Sequence, residues 1–378
     1  MPEWTENQGS LSRLQRFMAD DSGGADTETV HESAAAVSGP PNQRDVERIF
    51  RRLSLSAPAG TSEDELRALA ETVVARARKS LMLLDGAPLG ALSLADASAL
   101  EAVVHVRGRP ALRVLGERLE DFRIYPESDL WSMLFDEHSR NVMNTTRGSA
   151  AVRVRDTQLP NVEWVQGTAV MIAPNLALTN RHVLLPTNGA TRLVRRVPGG
   201  SSARLKRSYS VELDFAFDGG EAREMRYHVT GVPFVAANED PVDAAVLEVE
   251  PVPGGVAGAP PQLTVSSDDI YDFDRLYVVG HPGRLLSVPE DVRLVFGDPD
   301  ERKCVSFGML MDPQEENQVH IVHDASTIGG YSGGGVHQFD GTDLMALHYW
   351  GDGINGNRAI AAQALRGHET LGRILESL

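Results

Sequence analysis

Three segments of the chain hold residue types that could do nucleophilic chemistry if folding brought them together. LALTNRHVLL contains His182, EDPVDAAVLEVE contains Asp243, and STIGGYSGGGV contains Ser332. A serine hydroxyl is a poor nucleophile at neutral pH. It needs a base within hydrogen-bond reach, and that base needs a carboxylate to fix its tautomer. These three residues supply the three roles. Ser332 lies in GGYSGGG, and the glycines permit the unusual φ/ψ and close approach of a turn that presents a serine beside main-chain N–H groups. The N–H groups of Gly330 and Ser332 would be the donors to a developing oxyanion. This chemistry calls for no metal and no cofactor.

Other assignments compete. Asp240 is close to Asp243, but Asp243 stands just before the apolar run, where a buried orienting acid is expected. GYSGG also fits the nucleophile elbow of α/β-hydrolases. That fold needs an acid and a histidine after the serine, and too little chain follows Ser332. Cys304 lies in the strand-like KCVSFGML and reads as a buried structural thiol. His320 and His323 are three apart, so in a strand they point to opposite faces and read as structural.

The segments that must position these residues change character along the chain. Residues 1–41 are acidic and broken by GG, SG and PP, so they read as disordered, with one short helix around Leu11–Met18. Residues 42–140 read as mainly helical. Val46, Ile49, Phe50 and Leu53 share one helix face, as do Leu66, Leu69, Val73, Ala77 and Leu81 after a Ser62/Glu65 capping box, and LSLADASALEAVVHV offers a further helix. Within residues 141–378, short apolar runs from about Ser149 alternate with Gly, Pro, Asn and Asp and predict an antiparallel β-barrel or sandwich. Leu365, Leu371, Ile374, Leu375 and Leu378 suit one C-terminal helix packed on it.

Composition narrows the function. The 378 residues carry a formal net charge of -17 and one cysteine. That charge argues against nucleic acid or an anionic membrane as the main partner. A single cysteine allows no internal disulfide and suits a reducing compartment. The opening residues show no apolar signal-peptide core, and no run is long enough to span a bilayer, so the expectation is a cytoplasmic protein.

Together the motifs resemble a known family. TNRHV is similar to the histidine motif of chymotrypsin/trypsin-like serine proteases, DAAVLEV to their aspartate segment, and GYSGGG to their G-x-S-G-G nucleophile motif. The resemblance covers roughly residues 145–378. It implies a mainly β, two-lobed antiparallel β-barrel and a serine endopeptidase acting on a protein substrate through an acyl-enzyme. It also places a specificity pocket between the segment before the serine and the strand ALHYWG. Ser326 stands where lysine- and arginine-specific relatives carry an acid, with Asp324 two residues off register. Thr327 and His348 match positions used by glutamyl-specific relatives, which points to a preference for acidic residues with a partly protonated His348 adding charge; the alternative is a packed His348 and a pocket for small or apolar side chains. Arg192, Arg195, Arg196, Arg204, Lys206 and Arg207 form a local basic stretch. It reads as a solvated loop, or as a patch that steers an acidic target. Tyr331 replaces the aspartate to which digestive relatives pair a freed N-terminus, so that activation route is not expected. The helical region is instead the expected regulatory or adaptor element, with a possible regulatory partner. Trypsin-like cytoplasmic proteins with such extensions resemble bacterial conflict or defence proteases. The rival readings are a catalytically silent scaffold that binds protein, and a helical effector whose protease processes only itself.

Overall fold

The computed structural model describes residues 40–56, 60–84, 99–100, 102–103, 105–122, 125, 128–159, 161–186, 191–220, 224–253, 259–268, 275–283, 294–296, 300–311, 318–327, 330–350 and 357–378. The acidic segment, apart from its last two residues, and its expected short helix lie outside them.

Helices α1 (Gln43–Ser56) and α2 (Glu63–Leu84) pack together. Val46, Ile49 and Leu53 of α1 and Leu66, Val73 and Ala77 of α2 are buried, as their shared helix faces predict. The capping box forms. Ser62 N–H donates to Glu65 Oε2 at 2.9 Å, and Glu65 N–H donates to Ser62 Oγ at 3.2 Å. Ala99, Leu100, Ala102, Val103 and Val106 close the same core.

The helical region then gives way to a strand. β1 (Ala111–Arg113) follows the Gly108–Pro110 break and pairs antiparallel with Cys304–Met309. Helix α3 (Asp129–Gly148) buries Trp131, whose Nε1 donates to Gly108 O at 2.8 Å and whose ring stacks on Phe307 and Phe339. Residues 111–148 therefore share an apolar core with the β region.

Most of the remaining chain forms two antiparallel sheets. The first runs through β2 (Ser149–Asp156), β3 (Glu163–Ala173), β4 (Leu176–Thr179), β7 (Tyr209–Asp214), β8 (Arg226–Val235) and β9 (Ala245–Pro251). The order β8-β7-β2-β3-β4-β9, with β9 pairing back to β8, closes a barrel. Alternate residues such as Val152 and Val154 fill it, as the two-residue strand period requires. The basic stretch expected as a loop contains a hairpin, β5 (Val194–Arg196) with β6 (Ala203–Leu205), attached to β8.

The second sheet contains β10 (Arg275–Gly280), β11 (Cys304–Met309), β12 (His320–His323), β13 (Gly335–Gln338), β14 (Ala346–Trp350) and β15 (Asn357–Ala361), in the order β1-β11-β10-β13-β14-β15-β12. Its ends are drawn together by a bridge between Leu310 and His323, with Met311 N–H donating to Val322 O at 2.8 Å. The two-lobed antiparallel architecture expected from the sequence is present.

The single C-terminal helix is instead two, α5 (Ala362–Gly367) and α6 (Glu369–Glu376). His368 breaks them with extended backbone, and its Nδ1 accepts the N–H groups of Thr370 and Leu371 as a cap. Leu365, Leu371 and Leu375 are buried against both sheets, whereas Leu378 is exposed. Among the described residues no helix is long and apolar enough to cross a membrane.

Candidate active site

His182 stands on the one-turn helix α4 (Arg181–Leu184), directly after β4, and Asp243 lies two residues before β9. Because β4 pairs with β9, the two segments leave the barrel side by side. Asn180 Nδ2 donates to Asp243 O at 2.8 Å, and Arg181 N–H donates to the same carbonyl at 3.4 Å. The Asp243 carboxylate then takes two bonds from His182: the backbone N–H to Oδ1 at 3.1 Å and Nδ1 to Oδ2 at 2.6 Å. Asp243 is buried. Burial works to raise its pKa, but the hydrogen bond and charge of His182, then the charge of Arg181, outweigh it and hold the carboxyl below its usual 3.8. With Nδ1 donating to the carboxylate, Nε2 carries the lone pair a base needs. Asp240, the competing acid, is used elsewhere: its Oδ2 accepts from His368 Nε2 at 2.8 Å.

The nucleophile turn leads into β13. Gly330 and Gly333 have φ of +106° and +87°, a region L side chains avoid. A Cβ at Gly330 would strike His281 O and Gly283 N, and one at Gly333 would strike Thr168 O. The turn is tied down by Thr168 N–H to Ser332 O at 2.8 Å and by Gly333 N–H to His348 O at 2.8 Å. Neither the Gly330 nor the Ser332 N–H donates to a protein acceptor among the described residues. Gly167 on β3 shows how closely the histidine and serine motifs approach. A Cβ there would lie 2.7 Å from Val183 Cγ2 and 3.0 Å from Ser332 O. Ser332 Oγ donates to Tyr349 O at 3.4 Å, and no hydrogen bond joins it to His182 among the described residues. Catalytic bonds of this kind often tighten only with substrate present.

The expected pocket residues are all buried. Ser326 Oγ and Thr327 Oγ1 have no hydrogen-bond partner among the described residues. His348 Nδ1 lies 3.2 Å from His323 Nε2. Burial, then the charges of His323 and His182, push the His348 pKa well below 6.5. This corrects the expectation of a partly protonated ring: His348 is a neutral imidazole. Asp324 forms an ion pair with Arg109 Nη2 at 2.7 Å and accepts Met309 N–H on its other oxygen at 2.7 Å. It is a structural acid tied to the segment before β1.

Cys304 is buried, its thiol pushed up to about 12 by burial, and it is no nucleophile. Tyr331 fills the space behind the turn, its hydroxyl 2.8 Å from Ser306 Oγ. There a small cavity of about 30 Å³ also touches Arg52, His105 and Ser326. Sequence reasoning missed two residues at the centre of this site, Thr168 and His281. Their signals were faint: a glycine inside an apolar strand at QGTAV, which marks close backbone approach, and the break GHPG after β10.

The β5–β6 hairpin begins beside the histidine helix, with Leu193 N–H donating to Leu184 O at 2.9 Å. Arg195 and Arg204 face each other across it. Arg196 is anchored to the Val235 and Ala236 carbonyls. Arg192, Arg195, Arg204 and Arg207 are exposed.

Residues 167–346, a span that holds all three motifs, match the family model of the trypsin-like peptidase domain. The chain contains a trypsin-like peptidase domain. It is 25% identical over 367 residues to a "probable serine protease" of Lysobacter enzymogenes, covering 90% of this chain and 92% of that one. Among solved structures it is similar to an inactive form of the Rv3671c protease of M. tuberculosis, at 16% identity and TM-score 0.35, covering 62% of this chain and 92% of that one. It is likewise similar to a serine endoprotease from Yersinia pestis, at 18% identity and TM-score 0.39, covering 62% and 66%. The matched span begins inside β3; β1 and α3, which lie before it in sequence, share an apolar core with β10 and β11.

Proposed function

We propose that Ser332, His182 and Asp243 carry out the peptide-bond hydrolysis of this serine endopeptidase. Ser332 Oγ attacks the scissile carbonyl while His182 Nε2 takes its proton. The Gly330 and Ser332 N–H groups receive the oxyanion. His182 returns the proton to the leaving amine, and water repeats the sequence on the acyl-enzyme. The two hydrogen bonds from His182 to a single buried carboxylate, beside a glycine turn whose Gly330 and Ser332 N–H groups meet no acceptor among the described residues, support this reading most directly. Ser332→Ala and His182→Ala should each lower kcat/KM by about 10⁴-fold or more with the melting temperature kept. A fluorophosphonate probe should label the wild type and neither variant. An unlabelled wild type would favour the silent binding scaffold.

A preference for acidic side chains is the second part of the proposal. The buried Ser326 and Thr327 hydroxyls and the neutral His348 are uncharged donors that suit a carboxylate, and the exposed arginines of the β5–β6 hairpin would draw an acidic segment toward His182. Peptide-library profiling of wild type against His348→Ala tests it. The preference for Glu or Asp should be present in the first and lost in the second.

We infer in addition that the α1–α2 unit biases the nucleophile turn. Val295 is buried in the helical core, and Arg52 Nε donates to its carbonyl at 3.0 Å. Val295 belongs to the same β10–β11 connection as His281 and Gly283, which press on Gly330.

A further inference from the structure

We propose that Thr168 is the positioning residue that sets the oxyanion-binding peptides, an assignment that rests on the triad reading above.

Thr168 lies buried on β3, in the first barrel, and holds three segments at once. Its backbone N–H donates to Ser332 O at 2.8 Å. Its Oγ1 donates to Gly330 O at 3.2 Å and accepts from His281 N–H at 3.0 Å. Its own carbonyl accepts from Thr179 Oγ1 at 2.7 Å, at the end of β4 and three residues before His182. The hydroxyl thus donates its single proton to a hydrogen bond with the nucleophile turn and accepts a hydrogen bond from the exit of β10. The Thr179 bond fixes the peptide from which the hydroxyl projects.

The effect on the turn follows from peptide planarity. The N–H of Ser332 belongs to the peptide joining Tyr331 to Ser332. The peptide before it is held through the Gly330 carbonyl, and the peptide after it through the Ser332 carbonyl. Both bonds come from Thr168. Gly330, at φ +106° and without a Cβ, is the position where the turn has most freedom to rotate. Without the hydroxyl, the Gly330 carbonyl loses the partner that orients it, and the donors lose their fixed aim. Preorganised donors stabilise a transition state because they need no reorientation as charge develops. The loss should therefore fall on kcat. Thr168 touches no substrate atom in this scheme, and it acts through the peptides it holds.

The test uses the full chain and the peptide that wild type cleaves fastest. Thr168→Val should lower kcat by about 10- to 100-fold with KM within about twofold, and Thr168→Ser should restore kcat to within about threefold. Affinity for a peptide boronic acid, whose tetrahedral adduct uses the same donors, should fall in proportion to kcat. Binding of the uncleaved peptide should be the same for Thr168→Val/Ser332→Ala as for Ser332→Ala alone. A merely structural role would move stability and leave that split absent. If Thr168→Val melts below the assay temperature, Thr168→Ala against Thr168→Ser gives the same comparison, since both lack the methyl group and only one keeps the hydroxyl. Wild-type kcat in the variant lacking the hydroxyl, or a loss confined to KM, would overturn the assignment while leaving the triad intact. Cleavage retained by Ser332→Ala would overturn both.

Discussion

Asp243 receives both its backbone-derived and its ring-derived hydrogen bond from one residue, His182, at 3.1 and 2.6 Å. Each carboxylate oxygen therefore has its own donor from His182, and the imidazole is held in both plane and tautomer. An asparagine in its place would offer one oxygen and one NH₂. If the NH₂ faced Nδ1, the ring would carry its proton on Nε2 and could no longer act as a base. Asp243→Asn should lower kcat/KM by about 10³- to 10⁴-fold. Asp240→Asn, whose side chain meets His368 Nε2 and the Val242 N–H but not His182, should leave kcat/KM near wild type. Steady-state kinetics on the two variants separate them, and equal losses would mean the acid has been misassigned.

Stability should fall as pH drops below about 6.5, well before carboxylates titrate. His337 and His105 are buried and pushed down to about 4 and about 3 by burial, and His281 lies well below 6.5 for the same reason. These groups stay neutral in the folded protein while the unfolded chain takes up protons. Each should therefore cost about 1.4 kcal/mol per pH unit once the pH is below the unfolded value. Asp243 acts in a lower window. Its folded pKa is depressed, so its contribution is present above about 3.8 and lost as pH falls further. Thermal melts from pH 8 to 4 test this. His337→Gln should flatten the slope between pH 6.5 and 4, and a flat wild-type profile would refute the account.

Arg109 and Asp324 are 14% and 9% exposed in their side chains and pair at 2.7 Å just before the pocket residues. Removing one partner of such a pair leaves a charge with little water, at a cost of about 3 kcal/mol. Arg109→Met should therefore lower the melting temperature by more than Arg109→Met/Asp324→Asn does. Arg109→Met alone should also raise KM, because Asp324 lies two residues from Ser326. A double variant no more stable than Arg109→Met would show that the pair is not coupled.

The candidate triad residues could be singled out because each sits in a short, local signature: TNRHV, the acid before AAVLEVE, and GYSGGG. The strands around them were legible from alternation and turn residues. What held the site together was not. Thr168 acts through a hydroxyl bonded to backbone atoms more than a hundred residues away, and such contacts leave no periodic trace. The β5–β6 hairpin was hidden because arginines occupy both strands of an exposed ribbon, which removes the apolar alternation that marks a strand. β1 is three residues long, and only its partner β11 identifies it. The C-terminal break at His368 depends on its imidazole capping the next helix, a role its sequence neighbours do not signal.

Control by the N-terminal region needs a sharper test than deletion of residues 1–140. That cut would remove β1 and most of α3 with Trp131, which belong to the core of the second sheet, and should yield an unfolded product. Arg52 offers a cleaner probe. Its Nε holds the Val295 carbonyl, and its guanidinium lies 4.9 Å above the Tyr125 ring. Val295 is fully buried among α1 and α2 side chains, and its connection begins at His281–Gly283, the residues that crowd Gly330. Loosening Arg52 therefore loosens the far end of the segment that abuts the nucleophile turn. Arg52→Ala should change kcat/KM by about 2- to 30-fold, the range expected when a coupling contact is removed. Arg51→Ala, on the exposed face of the same helix, should leave it unchanged. The assay uses the full chain, with circular dichroism to confirm that both variants are folded. Identical kinetics for the two would mean that the α1–α2 unit braces the fold without biasing the turn.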